Sequence, residues 1–99
     1  MPNLADAIAA DARLMILQEL ARQTDGRLNE LLLGRVLDTY GIRRDRDWVA
    51  TQLRKLEALG AIELMTAGTV LVAHILRPGR DHVEERAVIE GVTRPAEAS

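Results

Sequence analysis

Apolar residues recur along the chain with a helical period up to Gly60 and with an extended period after it. From Leu4 to about Arg22 there is neither Gly nor Pro. Leu14, Leu17 and Ala21 fall at helical spacing there, with Ile16 and Leu20 beside them, which predicts a first helix. Thr24, Asp25 and Gly26 read as a turn. Asn29 can then cap a second helix over Glu30 to Tyr40, in which Leu32, Leu33, Val36, Leu37 and Tyr40 repeat in threes and fours until Gly41 ends it. Asp45 is placed to cap a third helix that Gly60 stops. On it Val49, Leu53 and Leu56 form one stripe, flanked by Trp48 and Leu59. At about 100° per residue, Asp47, Thr51, Arg54 and Ala58 point the other way, flanked by Ala50 and Lys55.

Past Gly60, Ala61 to Met65 is a short apolar run, Thr66 to Gly68 a turn, and Val70 to Leu76 a β-branched stretch, which together read as a hairpin. Pro78 suits the first turn of a short last helix reaching about Arg86. The predicted organisation is one domain over 1–86 and a C-terminal tail over 87–99 that contains Gly91 and Pro95. One core is expected to hold Leu14, Leu17, Leu20, Leu33, Val36, Leu37, Val49, Leu53, Leu56, Ile62 and at least two of Val70, Val72 and Ile75. Leu4, Ile8 and Met15 stand partly off the first helix's stripe, and the tail adds Val88, Ile89 and Val92. A chain this small has little core for both sets, so a two-fold homodimer through these segments is expected.

Composition narrows the functional classes. Ninety-nine residues suffice for a single core and are too few for a catalytic barrel. Aromatic residues are 2% of the chain and Phe is absent, which excludes an aromatic stacking platform for single-stranded nucleic acid. The absence of Cys removes disulfides, thiol catalysis and thiolate zinc sites. Asp6 and Asp11 stand where a signal peptide would begin with basic residues, and no apolar run approaches a membrane span, so a cytoplasmic protein is expected.

The formal net charge of −2 argues against bulk electrostatic coating of nucleic acid. The average conceals one basic stretch. Between positions 43 and 60, Arg43, Arg44, Arg46, Arg54 and Lys55 outnumber Asp45, Asp47 and Glu57, whereas acidic residues predominate on either side.

Three helices followed directly by a hairpin is the layout of a winged helix-turn-helix, in which the third helix enters the major groove and the hairpin is the wing. The expected fold is therefore mainly α with a two-stranded wing and a short C-terminal helix. Residues 13–20, Arg-Leu-Met-Ile-Leu-Gln-Glu-Leu, resemble the first-helix pattern of ArsR-type repressors. Val49, Leu53, Leu56, Gly60 and Ile62, with their spacing, resemble the recognition helix, stop and first wing strand of ArsR and MarR-type regulators. Residues 76–80, Leu-Arg-Pro-Gly-Arg, resemble the entry of their second wing strand into a helix. Over about residues 4–86 the chain is most similar to short winged-helix phage proteins of Mu-like prophages.

The resemblance implies a small transcriptional regulator binding duplex DNA. Its candidate contacts are Arg43, Arg44, Arg46 and Lys55 on phosphates, with Thr51 and Arg54 towards base edges, because the Arg fork matches guanine O6 and N7. Two features depart from a typical repressor. The wing loop from Met65 to Thr69 carries no Arg or Lys to enter a minor groove, and no Cys-based metal-sensing motif is present. Asp47 on the exposed face also repels phosphate. The alternative is a solvated or protein-binding face, and with it an adaptor within a phage gene cluster that does not bind DNA.

His74 and His82 stand on different elements without the spacing of a metal site, so no metal or other cofactor is expected. His74 reads as a half-buried strand residue and His82 as a surface residue of the last helix. No Ser/His/Asp arrangement, paired carboxylates or phosphate-cradling Gly-rich loop is present, and the chain is not expected to be an enzyme.

Overall fold

The computed structural model describes residues 3–98; Met1, Pro2 and Ser99, at the outer limits of the expected domain and tail, lie outside the described residues. Helix α1 (Leu4–Arg22) starts where the Asn3 side chain accepts from the Asp6 N–H, and it buries Ala12, Leu14, Ile16, Leu17 and Leu20. Helix α2 (Glu30–Thr39) is capped by Asn29 and helix α3 (Arg46–Ala58) by Asp45, as their sequence predicts.

Strands β2 (Ile62–Ala67) and β3 (Val70–Ile75) form the expected hairpin, with Gly68 and Thr69 as its two-residue loop. The sheet has a third strand, however. Strand β1 (Arg27–Asn29) pairs antiparallel with the other edge of β3, giving the order β1-β3-β2. The turn into β1 depends on Gly26, whose φ is +70°. A Cβ there would come within 2.9 Å of the Arg80 guanidinium and 3.1 Å of Ile75. Among the described residues the fold is thus a small α+β domain of four α-helices, a 3-10 turn at Pro95–Glu97 and a three-stranded antiparallel sheet.

Alternation along β3 sends Ala73 and Ile75 into the core and turns Val70, Val72 and His74 to the outer face, so only one of the three expected apolar residues is fully buried. Val36 is half-buried, and the other expected core positions are buried as predicted. Helix α4 (Arg77–Val83) has Pro78 in its first turn and ends earlier than Arg86, because Glu85 takes a left-handed conformation and Arg86 N–H donates back to the Asp81 carbonyl.

The segment after Arg86, expected as a tail, folds back on α1. Val92 joins the core, Ile89 packs against it, Arg13 donates to the Gly91 carbonyl at 2.7 Å, and the Thr93 hydroxyl donates to Asp11. His82 holds this segment and is only 1% exposed, which corrects its expected surface position. Its Nδ1 accepts from the Ile89 N–H, and with that tautomer its Nε2–H donates to the Thr93 carbonyl. The tail thereby covers in its own chain part of the apolar surface that suggested a dimer, while Leu4 and Val88 remain exposed.

Candidate nucleic-acid interface

Helix α3 lies across the domain with Val49, Gln52, Leu53 and Leu56 buried beneath it. Its N-terminus is fixed by Asp45 Oδ1, which accepts from the Trp48 N–H at 2.8 Å. Gln52 locks the inner side, accepting from Arg13 Nε at 3.0 Å and donating to the Trp48 carbonyl. With that face tethered, Asp47, Thr51, Arg54, Lys55 and Ala58 are left to solvent.

The six expected contact residues divide into different states. Arg54 and Lys55 are exposed and have no hydrogen-bond or ion-pair partner among the described residues. The Arg44 guanidinium lies 5.4 Å from the centroid of the Trp48 ring and donates to the Arg43 carbonyl. Trp48 itself is half-buried against the core. Arg43 is exposed, but its Nε donates to Asp38 Oδ1 at 2.7 Å, which holds the guanidinium more firmly protonated. The Thr51 hydroxyl donates to the Asp47 carbonyl one turn earlier, leaving its oxygen lone pairs outward.

Arg46 departs from expectation. Its Nε donates to Glu30 Oε1 at 2.9 Å, and its Nη2 donates to the Thr69 carbonyl in the hairpin loop. It is thereby a brace between α2, α3 and the hairpin rather than a free cation for a phosphate. Glu30, the first residue of α2, has a side chain only 3% exposed and also accepts from the Leu71 N–H. The hydrogen bond from Arg46 holds the Glu30 carboxyl below the usual glutamate range against the opposing effect of burial, and the Leu71 N–H adds to the lowering. This brace was missed in the sequence, since its partners stand far apart along the chain.

Two further side chains shape the surface. Arg35 is exposed on α2 without a side-chain partner among the described residues. Glu57 is exposed and reaches the hairpin, its Oε2 accepting from the Leu64 N–H of β2 at 3.0 Å. The hairpin tip, Met65 to Thr69, is exposed and uncharged. His74 Nδ1 lies 2.9 Å from Glu63 Oε1 on the outer face of the sheet. Chemically, the α3 surface offers cationic hydrogen-bond donors.

No helix among the described residues is long and apolar enough to cross a membrane. No family model matches the chain, and no solved structure matches it. Similarity to a curated protein is found with the uncharacterized protein gp26 of Escherichia phage Mu, at 32% identity over 90 residues that cover 91% of this chain and 93% of the Mu protein. With that identity sustained over nearly the whole length of both chains, this protein belongs to the family of phage Mu gp26.

Proposed function

We propose that the domain is a winged helix that binds duplex DNA, with α3 as recognition helix, and that it serves as a small transcriptional regulator in phage. The observation that carries this reading is Arg54, an exposed guanidinium on the solvent face of α3, opposite the Val49, Leu53 and Leu56 stripe. Arg54 is the residue for base readout, with Thr51 beside it, and Arg44, Arg43 and Lys55 reach phosphates. Arg46 keeps its bracing role. The uncharged loop makes no minor-groove contact through a cation, so affinity rests on the helix. One such module reads few base pairs, and the reading therefore includes a homodimer on paired half-sites.

Mobility shifts on the DNA upstream of the protein's own gene, at two salt concentrations, test it. Arg54→Ala should lose about 1 to 3 kcal/mol on the cognate site and little on random DNA. Arg44→Ala should weaken both alike and flatten the salt slope by about one unit. A wild-type protein without salt-dependent affinity for any duplex refutes the reading. The second reading, a protein-binding adaptor, is favoured by Asp47 on the same exposed face and by the net negative charge. Thr51, Arg54 and Ala58 are then the first surface to mutate against a protein partner.

A further inference from the structure

Beside the start of α3 lies a cleft of about 280 Å³, walled by α2 and the segment that joins it to α3. Its apolar lining is Leu31, Gly34 and Val49, and the same lining includes Arg35, Arg43, Arg44 and Arg46 against Glu30 and Asp38. Glu30 is matched by Arg46 and Asp38 by Arg43, which leaves Arg35 and Arg44 without a carboxylate partner among the described residues. Two unmatched cations beside an apolar lining suit a ligand that is itself divided into an anionic head and an apolar body.

Gly34 is an independent sign that the lining is kept open. It lies inside α2 without a positive φ, and a Cβ there would meet only Val49 Cγ2 at 3.9 Å, an ordinary contact. Neither backbone strain nor packing excludes Ala at this position, although Gly is the less stable residue in a helix interior. Its effect is to leave this part of the lining without a side chain.

We propose that this cleft binds a small organic carboxylate, its head held by Arg35 and Arg44 and its aliphatic body on Leu31 and Val49. The guanidinium fork matches a carboxylate, and such charge-assisted bonds are the stronger kind. At about 280 Å³ the cleft is roomier than a bare inorganic anion needs. Because Arg44 lies over Trp48, the sole Trp of the chain, occupancy changes the environment of the one indole.

The test is a fluorescence titration of the wild-type protein with sodium cyclohexanecarboxylate, sodium hexanoate and inorganic phosphate. No DNA is present, so the result is independent of the duplex-binding reading. A saturable change in Trp48 emission is expected with both organic carboxylates, with phosphate binding at least about tenfold more weakly. Arg35→Ala should weaken carboxylate binding by about tenfold or more, as loss of one charge-assisted bond does. Gly34→Ala should raise Tm by roughly 2–8 °C through helix propensity while it weakens binding several-fold. A role of Gly34 in folding alone would not separate these two effects. The absence of a saturable change, phosphate binding as tightly as the carboxylates, or unchanged affinity in Arg35→Ala would each overturn the proposal.

Discussion

The brace between Glu30 and Arg46 fixes how the hairpin stands relative to α3, and its removal is the sharpest test of the architecture. In Glu30→Ala, the Leu71 N–H, which is part-buried, loses its acceptor, and a donor left unsatisfied costs about 1–3 kcal/mol where water cannot reach it. Arg46 loses its carboxylate but is 48% exposed and can turn to water, so its share falls below the 3–5 kcal/mol typical of a fully buried broken pair. A total of about 2–4 kcal/mol is therefore expected. Glu30→Gln keeps one oxygen for Leu71 but sets an amide NH2 donor against the Arg46 Nε–H, so it loses that charge-assisted bond, at a cost of about 1–3 kcal/mol.

Acid adds an independent reading of the same pair. Because the folded-state pKa of Glu30 is depressed below 4.5, its stabilisation is fully present above the unfolded value and is lost as pH falls through the folded one. Wild-type stability should accordingly decline more steeply below about pH 5 than that of Glu30→Gln. Urea denaturation across this range measures both effects. If Glu30→Ala stays within about 0.5 kcal/mol of wild type at neutral pH, the brace does not hold the hairpin.

Other outcomes follow from the same packing. Leu53→Ala, at a fully buried centre of α3, should cost about 2–5 kcal/mol in the same denaturation assay, and a cost of surface-residue size would contradict its place in the core. His82→Phe keeps an aromatic ring, somewhat larger than imidazole, but leaves the Ile89 N–H and Thr93 carbonyl unpaired. It should lose about 1–3 kcal/mol and speed proteolytic cutting within residues 87–98, whereas unchanged cutting would mean that His82 does not hold that segment. Sedimentation at tens of micromolar, of the order set by ordinary affinities, should show a dimer if paired half-sites are read, and a strict monomer would count against that part of the functional reading.

The helices were legible because each rule that marks them is local. Asn29 and Asp45 bond to N–H groups within their own first turns, and the Val49, Leu53 and Leu56 stripe requires nothing beyond the helical period. Strand β1 is three residues long with polar ends, and it exists because β3 presents a second edge some forty residues further on. The inward phase of β3 was misread for a related reason. Val70, Val72, Ala73 and Ile75 are all apolar, so composition alone does not say which set of alternate residues faces the helices. In the candidate site, the exposed face of α3 could be read from the wheel. The pairing of Arg46 and Arg43 could not, because it depends on where α2 brings Glu30 and Asp38. The burial of His82 likewise depends on the return of the C-terminal segment.

The carboxylate that Glu57 places on the Leu64 N–H bears on how the protein behaves at high concentration. Strand β2 ends the sheet on its side, and an unpaired strand margin is a template on which another chain can add its backbone and begin an aggregate. At Leu64 the margin is already occupied by an oxygen from the same molecule, and that oxygen carries a negative charge that repels the carbonyls of an incoming strand. Glu57 therefore guards a strand margin as well as taking its place in α3. A change to Leu there would leave the helix period intact, yet uncover a backbone donor beside the exposed Met65 and convert the margin into a growth point.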